Sequence, residues 1–174
     1  MNCNNFGRCC PCNPCAGPTG PTGPAGPQGS LIRAAGTFYS TSIETVLNGA
    51  MIPINSGSEV VGNGITLQNA TDVLIQTPGI YLAGYYFQGD PIDGIEALAC
   101  RLLLNGQPIS GTTVQSVTSP EANIVEPSVT NMHLIVVSGN NSILQLQNYS
   151  NAAIAHLRWV DNVTTASLTV LRLS

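Results

Sequence analysis

The sequence predicts an all-β, antiparallel sandwich preceded by a short collagen-like triple helix and a cysteine-rich start. Three observations carry that expectation. Glycine stands at every third position from Gly17 to Gly29, and Pro18, Pro21, Pro24 and Pro27 each follow one of these glycines. Beyond that segment, about ten short runs of β-branched, aromatic and aliphatic residues are separated by Asn- and Gly-rich turns, at the spacing of sandwich strands. No apolar stripe of helical period crosses three turns, so helices are not expected.

Residues 1–16 hold Cys3, Cys9, Cys10, Cys12 and Cys15, with Pro11 and Pro14 among them. Three chemistries fit such a cluster. Disulfide cross-linking is favoured, because the cysteines precede a chain-gathering rod and lie outside any apolar run. Zinc is the second: Cys9 with Cys12, and Cys12 with Cys15, have the C-x-x-C spacing that tetrahedral sites use. No second cluster or histidine pair stands at zinc-finger distance, so no metal site is assigned. Lipidation is the third, and the flanking signals that mark it are missing. The segment is read as a cross-linking or attachment region.

Residues 17–30 are the Gly-Pro-x repeat. Only glycine fits at the axis where three polyproline-like chains wind together, so the period demands three parallel chains. Its four triplets span about 40 Å at ~3.1 Å per residue, too short a rod to hold three chains by itself. A homotrimer is therefore expected, stabilised mainly by the residues beyond the rod. Thr19 and Thr22 occupy Y positions, pointing away from the axis, and are candidate glycosylation sites.

Residues 31–174 form the head. Strands are expected over 37–40, 65–68 and 72–76, each bounded by Asn or Gly. The strongest covers 80–87, launched by the Pro78-Gly79 turn. A run over 98–104 ends at Asn105-Gly106, a hairpin signal. Further runs cover 113–118, 132–138 and 142–149, the last two joined by Gly139-Asn140-Asn141, and runs over 155–160 and 166–173 close the chain.

Charged residues make up 8% of the 174, against roughly 25% in ordinary globular chains. The five basic residues are all arginine (Arg8, Arg33, Arg101, Arg158 and Arg172), so no lysine side chain can form an isopeptide link. A net charge of −4 argues against nucleic acid and anionic membrane as partners. No run is long enough to span a bilayer as a helix. The start, Met1-Asn2-Cys3-Asn4-Asn5, lacks the basic and apolar regions of a secretory signal. A surface resting on Asn, Ser, Thr and Gln resists association poorly, which suits a subunit of an assembly.

A Gly-Pro-x stretch followed by an all-β head resembles the complement globular-head and tumour-necrosis-factor superfamily of trimeric jelly rolls. The local likeness is Pro78-Gly79-Ile80-Tyr81, similar to the Gly-x-Tyr opening of a central strand there, and the apolar final strand near Leu168 to Leu173. Within it the chain most resembles the collagen-like glycoproteins of bacterial spore surfaces, the BclA type. That likeness rests on the Gly-Pro-Thr triplets, the absent signal and the polar head beginning Gly36-Thr37-Phe38-Tyr39. The resemblance implies a jelly-roll homotrimer with a threefold apolar seam, deposited on the outer face of a spore (exosporium or appendage) without secretion. The collagen zone is shorter than in many such proteins, and the cysteine cluster stands where some carry a proline-rich leader. This favours a disulfide-linked array or thin fibre, attached through a spore-surface anchor protein.

Nothing in the chain assembles a catalytic set. His133 and His156 lie within apolar strand runs and read as pore, seam or core residues. Asp90, Asp93 and Glu96 are the only acidic cluster, without the dense ligand spacing of a calcium loop. No nucleophile elbow, phosphate loop or His-Glu-x-x-His is present. Asn69, Asn148 and Asn162 head glycosylation sequons, which mean little without export. No enzyme activity and no cofactor are expected. The favoured reading is a structural subunit of a spore surface layer or appendage. The alternative is a stalked adhesin or lectin-like head, for which Trp159, in a strand-like run, reads first as a core residue.

Cys100 stands inside the run Leu98-Ala99-Cys100-Arg101-Leu102, where alternation allows it to point inward or outward. Buried, it is a free thiol packed as a small hydrophobe. Exposed, it is a candidate acceptor for a disulfide from the neighbouring trimer. If it is buried, five N-terminal cysteines remain per chain, and under threefold symmetry one type cannot pair within the trimer. Bridging to the next trimer head to tail would then generate a fibre.

Overall fold

Strand register is set wherever one side of a sheet must be buried, because side chains alternate with period two. In the run Tyr81-Leu82-Ala83-Gly84-Tyr85-Tyr86-Phe87 the odd-numbered positions are buried and the even ones are not. A computed structural model of the chain describes Gly20, Gly23 and residues 34–91, 97–117, 127–155 and 161–174. Contacts divide the chain into two units, Met1–Ser30 and Leu31–Ser174, and every element named below belongs to the second.

The strands, in chain order, are β1 (Ala34–Ser40), β2 (Gly57–Gly62), β3 (Ile65–Leu67), β4 (Val73–Ile75), β5 (Gly79–Gln88), β6 (Asp90–Pro91) and β7 (Ala97–Leu104). They continue with β8 (Gln107–Pro108), β9 (Val114–Val117), β10 (Ser128–Val137), β11 (Ser142–Asn148), β12 (Ile154–Ala155) and β13 (Ala166–Arg172). No helix occurs among the described residues. One sheet runs β10-β5-β13-β1-β2; the other runs β3-β4-β11-β7-β8, with β9 also paired to β7. All pairings are antiparallel, and β6 with β12 makes a small separate ladder.

The core lies between the two sheets. Phe38, Tyr81, Phe87, Ile135, Leu168 and Val170 come from the first, and Ile65, Ile75, Leu98, Leu102, Leu144 and Leu146 from the second. Buried polar groups tie the sheets together. The Tyr85 hydroxyl, on the first sheet, donates to the carbonyl of Thr112 at 2.6 Å and to that of Cys100, on the second, at 3.2 Å. Asn148 is fully buried; its amide nitrogen donates to the carbonyls of Val46 (2.9 Å) and Leu47 (3.2 Å), and its oxygen accepts the Ser150 N–H. With its hydrogen-bonding capacity met this way, Asn148 closes the loop after β11 and its side chain is inaccessible for glycosylation.

The turns follow their residues. Asn105 and Gly106 both have positive φ (51° and 75°), as a two-residue hairpin between β7 and β8 requires. Gly139-Asn140-Asn141 joins β10 to β11 tightly, but those strands belong to different sheets, so the connection crosses the sandwich. The expected strand over 132–138 begins four residues earlier, at Ser128. Strand β2 was not expected: its six residues show no alternation, and it is an edge held only by β1.

Candidate functional site

The feature that sets this head apart is the outer face of the five-stranded sheet. Register lays its outward side chains in rows. One row runs Leu134, Leu82, Leu171, Ala35, Val61, and beside it Val136 faces Ile80. The next row runs Met132, Gly84, Thr169, Thr37, Glu59. Met132, Leu134 and Val136 on β10 are 68%, 58% and 71% exposed, large apolar side chains standing in water on one strand. Among the outward positions of the five strands, Glu59 on the edge strand is the only charged residue. Towards its other end the face turns polar, with Tyr86 bonded to Gln88 and Thr37 to Thr169 at 3.1 Å. Contiguous exposed apolar surface of this kind marks an interaction site.

Gly84, on β5 beside the edge strand β10, makes a depression in the face, bordered by Tyr86, Thr130, Met132, Ser167 and Thr169. A Cβ placed there would meet the Asn131 carbonyl at 3.6 Å and the Met132 Cε at 3.8 Å, ordinary contact distances.

The outer face of the other sheet is built differently. Arg101 lies over the Tyr149 ring, 3.8 Å from its centre, and its Nε donates to Gln147 at 2.7 Å. Gln147 donates in turn to the Gly49 carbonyl, and Gln145 donates to Asp72 at 2.6 Å. Asp72 also accepts from Asn69 and Thr71. Burial alone would raise its pKa, but these three hydrogen bonds outweigh it and hold the carboxyl below its usual value.

No family model and no curated protein matches the chain. Among solved structures it is similar to the Eiger TNF of S. frugiperda, with a TM-score of 0.56 and 11% identity over 82% of this chain and 92% of that one. It is also similar to murine APRIL at pH 5.0, with a TM-score of 0.52 and 14% identity over 81% of this chain and 99% of that one. The head is a TNF-like jelly roll. At such identities the likeness speaks for the fold alone.

Cys100 is 0% exposed and unpaired, packed among core residues of both sheets. Burial pushes its thiol up to about 12, with a Tyr85 hydrogen bond pulling the other way. Accessibility was the condition for Cys100 to act as a disulfide acceptor, and the fold does not meet it. His133 is half-buried beside Gly111, where the positive φ of 80° disfavours a side chain and an added Cβ would crowd the ring at 3.0 Å. Asn69 accepts from the backbone N–H groups of Thr71 and Asp72, as a turn residue does. Asp90 lies in β6, and no group of three metal-ligating side chains occurs among the described residues. Cys3, Cys9, Cys10, Cys12, Cys15, Thr19, Thr22, Asp93, Glu96, His156 and Trp159 lie outside the described residues.

Met132, Leu134, Val136, Leu82 and Leu171 were not expected as site residues. A signal for them was present. The runs over 80–87 and 132–137 are apolar at both parities, as in a strand buried on two sides, whereas the sandwich core covers only one.

Proposed function

We propose that this chain is a structural subunit of a bacterial spore surface layer or appendage, trimerising through its head and joining trimer to trimer by N-terminal disulfides. The observation that carries the proposal is the nearly charge-free apolar face of the five-stranded sheet. Covering it gains about 25 cal/mol for each Å² of apolar area removed from water, and the glycine period calls for three identical chains in parallel. A second and third copy are therefore the partners that fit. The fold shared with Eiger TNF and APRIL is compatible with such a body.

With Cys100 enclosed, the five cysteines of residues 1–16 are left for cross-linking. Threefold symmetry leaves one type unpaired within a trimer, and a bridge from it to the next trimer propagates an open fibre. The spore location rests on the sequence resemblance, as does an anchor protein at the attachment point. Thr19 and Thr22 remain the proposed glycan acceptors.

Light scattering of residues 31–174 tests the trimer directly: three copies are expected, and a monomer at high concentration refutes the proposal. Electrophoresis of the full chain, boiled in detergent without reductant, tests the fibre. High-mass ladders that collapse on reduction are expected. Monomers with every N-terminal thiol open to alkylation refute covalent assembly.

A further inference from the structure

We infer that the depression over Gly84 is a socket for a side chain of the neighbouring copy, and that Gly84 is a specificity-determining residue of the trimer contact. The inference rests on the trimer proposed above and goes beyond it by assigning one residue a role that the isolated head does not need. Glycine in a strand interior weakens the strand and offers nothing to pack. It is normally retained for an unusual φ or for lack of space. Neither applies to Gly84. It is absent from the positive-φ glycines, and a Cβ would sit in ordinary contact, no closer than 3.6 Å to any neighbour. Among the described residues of the head, nothing excludes an alanine there, with the Met132 side chain lying at ordinary contact distance beside it.

What lies outside supplies the reason. Gly84 is flanked directly across the sheet by Met132 on one side and Thr169 on the other, so the missing side chain leaves a notch between standing ones. A threefold contact is heterologous: each copy presents one patch to a different patch of the next. Such a contact needs a recess as well as a protrusion. This face has both, the Gly84 notch and the exposed side chains of Met132, Leu134 and Val136. The occupant is a second copy of this chain, since the Gly-Pro-x period already demands identical partners in parallel and the surrounding positions carry no charge to select a different protein.

The test uses the full chain under reducing conditions and compares wild type with Gly84→Leu, Gly84→Ala and the control Thr66→Leu, an exposed position of β3 on the other sheet. Sedimentation over a dilution series reads the concentration at which trimers dissociate, and circular dichroism reads folding of the dilute head. Gly84→Leu is expected to raise the dissociation concentration by about tenfold or more with the dilute head still folded, and Thr66→Leu to change neither. Should leucine disturb the strand, Gly84→Ala carries the test. Its methyl fits the head, so melting of the dilute head is unchanged or raised while trimer dissociation moves severalfold towards higher concentration. Trimers of all variants dissociating alike overturns the socket and leaves the trimer standing. A wild-type chain that stays monomeric throughout overturns both.

Discussion

The two outer faces of this sandwich share a backbone architecture and differ in how they meet water. On the six-stranded side, Arg101, Gln147, Gln145 and Asp72 spend their hydrogen bonds on one another and on nearby loops, and Tyr149 is capped by the Arg101 guanidinium. The polar groups described on that face find their partners within one chain. On the five-stranded side, Met132, Leu134, Val136, Ile80 and Leu171 stand exposed, with no described residue of their own chain covering them. A single sequence has thus bonded the polar groups of one face to one another and left large apolar side chains standing exposed on the other. If the proposed trimer forms, a chain with so few charges directs it less by attraction than by which face its own side chains leave open.

The largest effect that could break this comparison comes from placing a charge on each face in turn. Leu134→Glu should abolish trimers, because three unpaired carboxylates would be enclosed at a cost of several kcal/mol each. Leu134 is 58% exposed in the single head, so the variant should remain folded as a monomer by circular dichroism and run as one by light scattering. Thr66→Glu, on the opposite sheet, should leave trimers intact. The reverse pattern would mean that the working face has been misassigned.

How much of this was legible beforehand depended on local contrast. Strand β5 announced itself through an unbroken apolar and aromatic run launched by the Pro78-Gly79 turn, and Asn105-Gly106 gave its hairpin because only a few residues tolerate two successive positive φ values. Strand β2 was illegible: an exposed edge has no buried side to impose a period. Cys100 was ambiguous because Ala97 to Leu104 is apolar at both parities. Arg101 was the one available clue, since a guanidinium that must reach water turns its immediate neighbours inward. The apolar face was written in the runs over 80–87 and 132–137, but a sequence does not say which of two apolar sides meets the core and which a partner. That distinction is made by pairing across the sheet.

Between the two faces, Cys100 reports on core integrity. Its thiol is held up to about 12 by burial, against about 8.5 in an unfolded chain. The raised folded value means its contribution to stability is complete below about pH 8.5 and is lost as pH rises through the folded value. Melting temperature should therefore decline on the alkaline side, less steeply in Cys100→Ala. Mass-spectrometric mapping after brief alkylation of the native protein should find residue 100 unmodified. Rapid native modification would contradict its burial.

A smaller effect separates the faces under acid. Burial pushes the Asp72 carboxyl up, but hydrogen bonds from Asn69, Gln145 and Thr71 prevail and hold it below its usual pKa. It therefore contributes stability above about pH 3.9. That contribution is lost as pH falls through the depressed folded value. Wild type should lose melting temperature between pH 5 and pH 2 more steeply than Asp72→Asn (pH values on the order of the carboxylate range). Trimer dissociation, measured from about pH 5 to 8, should stay flat, because the outward positions of that face are apolar or uncharged apart from Glu59 at its edge strand.

The smallest expected effect lies on the finished face. Arg101 contributes one stacked contact with Tyr149 and one hydrogen bond to Gln147, both half in water. A cation over an exposed ring is worth ~0.5–1 kcal/mol, so Arg101→Ala should lower Tm by about 2–4 °C. Arg101→Lys should recover only part of this loss, since an ammonium keeps the charge but not the planar stacking. Neither substitution should shift the trimer dissociation concentration, because the contacts described for Arg101, with Tyr149 and Gln147, are made within its own chain on the sheet opposite the apolar face. A change in assembly on losing Arg101, with little change in Tm, would show that the six-stranded face also contacts another copy, and the contrast between a completed face and an open one would fail.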